Sequence, residues 1–394
     1  MTMTKDGSAY ALPKPTYFAE LTEVGRGTPM GELLRRYWHP VGLSGDATAT
    51  PRKIMALGEE LILFRDGTGR PGLVHPRCAH RGASLYYGRV EEQGIRCCYH
   101  GWLFDADGNC LEQPCEPEMG AKTRGHIRQP HYPLEEKYGL IFAYMGPLDR
   151  KPVLPSYDVL ETLEAGEFLE TDDSSIGSGG PVIVDCNWLQ HYENVLDPFH
   201  VPILHGSFSG DQFNSKMSLM PRVTFHYTPR GVSSLQLRDL EAGEHQRITE
   251  AVLPTVRAVA SPVATVDGPC SLLGWVLPMD DMSFRIYSVG RVSEAGTLAK
   301  IRSKYAGKLW HELTEQEHQR LPGDYEAQVG QGPITFHSEE NLTSTDQGIG
   351  MLRRVLRQQV DAVANGKDPI GVVFDPTRAL VELEAGSRTI AKGI

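Results

Sequence analysis

Residues 78–102 read CAHRGASLYYGRVEEQGIRCCYHGW, and the spacing of two cysteines and two histidines in this stretch decides what kind of domain holds them. Cys78 and His80 form C-x-H, sixteen residues intervene, and Cys97 and His100 form C-x2-H. Each of two short loops therefore offers one thiol and one imidazole. A zinc finger ordinarily pairs Cys with Cys and His with His. A mixed pair on each loop suits a [2Fe–2S] centre of the Rieske type, in which one iron takes two thiolates and the other two imidazoles. Neutral imidazoles reduce the negative charge of such a centre and raise its potential to about −150 to +300 mV. A structural zinc on the same four residues stays open as an alternative.

Cys98 complicates the register, because Cys98-Tyr99-His100 is itself C-x-H. No C-x2-H follows it, since Cys110 and Cys115 have no His three residues on. Cys97 is therefore read as the ligand and Cys98 as its neighbour. Cys110, Cys115, Cys186 and Cys270 read as small buried hydrophobes. Seven cysteines, an odd number, do not form the framework of a secreted disulfide scaffold.

The flanking sequence predicts short antiparallel strands. EELILFRDGTGRPGLVHPRC carries two apolar runs around DGTG, GWLFDADGNCLEQP repeats the pattern around DADGN, and YGLIFAYMGP closes a small β domain over roughly 45–150. Upstream, MGELLRRYWHPV (30–41) has helical spacing that ends at His39-Pro40. GPLDRKPVLPSYD (146–158) is a proline-rich exit, so the chain divides into 1–160 and 161–394. The second part alternates strand-like runs (RVTFHY, SSLQLRDL, TVRAVA, SLLGWVLPMDDMSFRIYSVGRVS) with helical patterns from about 298 and in TDQGIGMLRRVLRQQVDAVANG. The whole reads as α+β: a small antiparallel β domain, then a large antiparallel sheet flanked by helices.

A second cluster of metal-binding types lies in NWLQHYENVLDPFHVPILH (187–205), with Asn194, Asp197, His200 and His205. At about 100° per helical residue, Asn194, Asp197 and His200 fall on neighbouring faces, whereas His205 stands about 140° from His200. Pro202, between them, breaks regular helical bonding and lets the chain bend back. Two His from one segment plus a carboxylate make the facial triad of non-haem Fe(II) oxygenases, with positions left open for oxygen. Taken singly, each His is as well explained by packing or solvation.

Composition narrows the partners. The 394 residues are 40% hydrophobic and carry a formal net charge of −11, which argues against a nucleic-acid role. The start, MTMTKDGSAYALPKP, has no long apolar run, and no segment reaches the roughly eighteen apolar residues of a membrane helix. A cytoplasmic protein with no membrane partner is expected. No P-loop and no G-x-G-x-x-G after a strand is found, so NADH and flavin are expected on another protein.

CAHRGASLYYG followed by CCYHGWLFDADG resembles the Rieske domain of bacterial ring-hydroxylating oxygenases, and 193–205 resembles their catalytic helix, E-N-x2-D-x2-H-x4-H. Respiratory Rieske proteins carry an extra cysteine in each loop, and Ala83 stands where the first would be. The opening MGELLRRYWHPV and the C-terminal helix resemble the phthalate dioxygenase, phenoxybenzoate dioxygenase and aryl O-demethylase branch. The resemblance implies a helix-grip catalytic domain and a [2Fe–2S] cluster on Cys78, His80, Cys97 and His100. It also implies a mononuclear Fe(II) on His200, His205 and a later Asp. In the family that Asp is followed four residues on by Gln or Glu. LPGDYEAQVGQGP supplies Asp324 with Gln328, while Gly323 departs from the usual Gln or Glu before it; Asp346, Asp361, Glu339 and Glu340 stand as fallbacks.

By the same resemblance His100 of one subunit meets Asp197 of the next, which in turn holds His200, in a homotrimer or dimer of trimers. Asn194 and Asp197 are the implied catalytic residues besides the ligands. The implied activity is that of a terminal oxygenase fed with electrons from NADH by a flavin and iron–sulfur reductase, with or without a separate ferredoxin. It would hydroxylate an aromatic, carboxylated substrate by ring dihydroxylation or by monooxygenation and O-demethylation. Arg222, Arg230 and Arg257 are candidate partners for the carboxylate, each equally readable as a surface arginine. An electron-transfer protein or a zinc-binding structural protein are the rival readings, and both leave 194–205 unexplained.

Overall fold

The computed structural model describes residues 12–391 except 117, 174–180, 210–212, 242, 261–266 and 302–307. Its N-terminal part holds three small antiparallel sheets. Strands Glu59–Arg65 and Pro71–Val74 are joined at DGTG, where the Asp66 carboxylate accepts from the Thr68 and Arg70 amides at 3.0 and 2.9 Å. Leu103–Phe104 and Cys110–Glu112 are joined at DADGN, where Asp105 plays the same part for the amides of Asp107 and Asn109. Both turns work through a short carboxylate that satisfies amides the reversal would leave unpaired.

The helix expected over 30–41 is shorter. It runs Pro29–Leu34 under a Thr28 cap, and Trp38–Leu43 is a strand paired with Leu140–Tyr144. Pairing with a wholly buried strand some hundred residues away overrides the local helical spacing. Pro40 is accommodated because Trp38–Leu43 is an edge strand with a bulge between Pro40 and Gly42.

The C-terminal part is built on a nine-stranded antiparallel sheet. Its main path runs Phe168–Asp172, Phe284–Val292, Leu272–Pro278, Val256–Val259, Gly243–Val252, Gly231–Leu240, Arg222–Thr228. Helix Gln347–Ala364 buries Gly348, Leu352, Val355, Leu356 and Val360, a stripe at helical spacing, against this part of the molecule. The fold is thus the expected α+β arrangement of a small β domain and a helix-flanked antiparallel sheet.

Two cores follow. A small one, including Ile62, Phe64, Leu85, Ile95, Trp102 and Phe104, contains Cys78 and Cys97. A large one joins both parts of the chain, with Phe142 edge-on to Trp275 at 5.8 Å between centroids. No helix among the described residues is long and apolar enough to cross a membrane.

Candidate metal centres

The two Cys/His loops are local twins. The Cys78 amide donates to the Ala83 carbonyl and the Gly82 amide donates back to Cys78; the Cys97 amide donates to Trp102 and the Gly101 amide to Cys97. Gly82 and Gly101 sit at φ +77° and +72°, the left-handed turn that closes each loop and that a β-carbon would strain. Both cysteines are 3% exposed at the edge of the small core, whereas Cys98 is exposed. Burial pushes the Cys78 thiol up to about 12, with backbone bonding at His80 opposing and the neighbouring Cys97 thiol adding to the rise.

His80 and His100 meet edge to face at 4.6 Å, and His80 stacks on Trp102 at 4.3 Å. Burial, then the charge of His100, hold the His80 imidazole below its usual pKa, in the neutral form a metal needs. One contributor escaped the sequence reading. Gln129, fully buried, accepts from the Ala79 amide at 2.8 Å and donates to the carbonyls of His75 and Arg77 at 2.9 and 3.0 Å. It splints the first loop from fifty residues away, and nothing in its local sequence signals that.

In the second cluster the structure corrects the expectation of one continuous helix. Helix Trp188–Asn194, capped by the Asn187 side chain, ends at Asn194, and Asp197 lies in the turn beyond it. There its Oδ1 accepts from the Phe199 and His200 amides at 3.0 and 3.3 Å. Val201–Phe208 then form a π-helix with Pro202 in its first turn. Its i→i+5 bonding sets residues five apart above one another, which brings His205 back beneath His200.

Three ligand atoms converge here. Asp324 Oδ1 lies 3.3 Å from His205 Nε2 and 3.6 Å from His200 Nε2, and among the described residues this trio is the group of three or more metal-binding side chains whose ligand atoms all lie within 4.8 Å of one another. Asp324 opens helix Asp324–Val329, where Glu326 caps the Gly323 amide at 2.7 Å. Asn194 Nδ2 stands 3.4 Å from both Asp324 Oδ1 and His200 Nε2. Asp197 Oδ2 stands 3.4 Å from His200 Nδ1 and so fixes which ring nitrogen faces inward. Burial alone would push the Asp197 carboxyl up; the hydrogen bond and charge of His200, with the two amides, outweigh it and hold the group below the usual carboxylate range.

The ligand-bearing segments are tied together without any metal. Gln190 Nε2 donates to the carbonyls of Gln328 and Gly332, and His191 Nδ1 is 3.1 Å from Gln328 Oε1. Burial lowers the His191 pKa to about 3, so the ring is neutral. Behind the first helix, Arg353 grips Glu193 at 2.6 and 2.7 Å and Glu340 at 2.6 and 2.8 Å.

Those contacts dispose of the fallback carboxylates. Glu340 belongs to Arg353, Asp346 caps the Thr343 amide, and Glu339 and Asp361 are exposed. The three candidate arginines also separate. Arg222 is a surface residue paired with Asp239 and Glu244, and Arg230 donates to the Gly371 carbonyl. Arg257, by contrast, lies within the electrostatic reach of Asp324 and His191.

Comparison with known proteins agrees with this geometry. Residues 37–133 match the Rieske [2Fe-2S] domain. The chain is 50% identical over 386 residues to the phenoxybenzoate dioxygenase subunit alpha of Ectopseudomonas oleovorans, covering 97% of this chain and 94% of that one. It is 39% identical to the tert-butanol monooxygenase / tert-amyl alcohol desaturase oxygenase subunit of Aquincola tertiaricarbonis, over 93% and 79% of the two chains. The solved structure of the NdmA QL mutant of Pseudomonas putida CBB5 with caffeine has the same fold, with a TM-score of 0.62 and 19% identity over 86% of this chain and 94% of that one. Two buried thiols beside two imidazoles, a His/His/Asp trio in the second part of the chain, and this extent of identity lead to one conclusion: the chain belongs to the Rieske non-haem iron oxygenases, as an oxygenase (alpha) subunit that uses a [2Fe–2S] cluster and a mononuclear iron.

Proposed function

We propose that Cys78, His80, Cys97 and His100 hold the cluster, that His200, His205 and Asp324 hold the iron, and that the substrate is an aromatic carboxylate. The observation that carries the reading is the convergence of both imidazole Nε2 atoms on Asp324 Oδ1 at 3.3 and 3.6 Å. One thiol and one imidazole on each of two twin loops supports a two-iron group over a structural zinc. We divide the chain into a Rieske unit, 1–160, and a catalytic unit, 161–394.

When bound, the cluster supplies single electrons and the iron binds and activates oxygen. The chain's own residues do the rest. The Asp197 carboxylate faces His200 Nδ1 at 3.4 Å and leaves Nε2 directed at the site, while Asn194 spans His200 and Asp324. Asp197 is one-third exposed, so it can also accept from a neighbouring copy's His100 in a homotrimer or dimer of trimers. A cytoplasmic reductase taking electrons from NADH, alone or through a ferredoxin, completes the system.

The test is low-temperature EPR of anaerobically purified, dithionite-reduced protein with iron, sulfide and zinc analysis. The expected result is a Rieske signal of average g below 2 and about three irons per chain; a silent spectrum with stoichiometric zinc would sink the reading. Ligand register has its own check. Cys97→Ser is expected to abolish the signal and Cys98→Ser to leave it, because the first thiol is buried in the small core and the second is exposed. Formaldehyde release from a methoxylated aromatic acid marks O-demethylation, and a cis-diol marks ring dihydroxylation.

A further inference from the structure

Three arginines share one face of the large sheet. Paired residues on adjacent strands point the same way, as do alternate residues along a strand. Arg238 pairs with His245, Arg247 lies two residues further along that strand, Ala251 four further still, and Ala251 pairs with Arg257. Burial pushes each of the three guanidiniums down to about 10.

None of them meets a carboxylate at ion-pair distance among the described residues. Arg238 donates to the Leu219 carbonyl and the Gln236 side-chain oxygen, and Arg247 to the Ala260 carbonyl. Arg257 is partly exposed, and no hydrogen bond from its guanidinium is found among the described residues. The carboxylate that acts on it most strongly is Asp324, whose charge the iron would share. A partly desolvated guanidinium without an anion is unfavourable, and that cost is offset when a ligand brings the anion.

The neighbouring strand is cut away to admit this side chain. Arg257 pairs with Gly274, and a β-carbon there would lie 2.4 Å from Arg257 Nε and 3.0 Å from its Cγ. The glycine leaves room for the arginine to lie across the sheet, and Leu272–Pro278, the strand that carries this glycine, packs against the helix that bears Asn194.

We propose that Arg257 is the anchor for the substrate carboxylate, binding it through its planar fork so that the ring beyond it is presented to the site at Asp324. This rests on the reading of the substrate as an aromatic carboxylate.

The test is equilibrium binding of 4-phenoxybenzoate and of its uncharged primary amide to the holoenzyme and three variants. Wild type is expected to prefer the acid. Arg257→Gln should weaken the acid by about 30-fold or more, as loss of one partner of a buried charge pair does, and leave the amide nearly unchanged. Arg257→Lys should recover part of the preference, since it restores the charge without the fork. Gly274→Ala, which keeps the charge and displaces it, should weaken the acid alone. Cluster signal and iron content should stay at wild-type level in all three. Equal effects on acid and amide, or none, would overturn the assignment to Arg257 while leaving the substrate class standing. A wild-type protein that binds acid and amide equally would overturn the carboxylate reading and the anchor with it.

Discussion

Asp324→Asn is expected to empty the mononuclear site and silence turnover while the cluster signal persists. The substitution keeps the shape of the side chain and removes the charge that both imidazoles face at 3.3 and 3.6 Å. Two histidines and an amide are a poor site for Fe(II), which this ligand pattern binds through a carboxylate. Losing only an outer hydrogen-bond partner of a ligand typically costs about 10–100-fold in metal affinity. Losing the ligand's charge should cost more. Iron should drop from about three to about two per chain, the cluster's own pair, with no product in a single turnover from pre-reduced protein. Retention of the third iron, or of turnover, would remove Asp324 from the trio. His205→Ala serves as the matched control, because its ring is almost wholly buried and faces the same oxygen.

Arg353→Ala should be the most destabilising single change outside the metal centres, by about 3–5 kcal/mol, because it leaves the buried Glu193 carboxylate without its partner. Arg353 is 4% exposed and Glu193 8%, so water cannot take over. Denaturant unfolding of the holoprotein, followed by far-UV circular dichroism, reads the loss directly. Activity should fall too, since Glu193 adjoins Asn194 and its helix carries the site's outer contacts. The double variant Glu193→Gln/Arg353→Met should recover part of the stability, as removing both charges is far milder than removing one. A loss below about 1 kcal/mol would mean that the surrounding packing holds the helix without this ion pair.

The Rieske loops were legible because their information is local. Four ligands, two turn-closing glycines and two Asp-capped turns all lie in 66–109, within a few residues of the atoms they serve. What sequence reasoning missed is non-local. The true end of the first helix depends on Leu140–Tyr144, and the splint at Ala79 comes from Gln129. Asp324 was singled out among fifty acidic residues through a family pattern, and neither charge nor periodicity would have found it. Arg257 looked no different from Arg222 and Arg230, because only the sheet register shows which of them faces inward. Asp197 was identified, but placed on a helix that in fact stops three residues earlier.

The π-helix at Val201–Phe208 makes the interval between His200 and His205 a measure of backbone type. On an α-helix two imidazoles that share one ion are spaced as H-x3-H, the interval of the zinc proteases. H-x4-H reaches the same end only where each turn holds about one extra residue. Loss of a single residue between the two histidines would therefore not merely shorten the segment: it would let the turn relax to α geometry with the pair in the H-x3-H register of a different metal chemistry. Length variation here is thus expected to be excluded among functional relatives even where composition drifts freely.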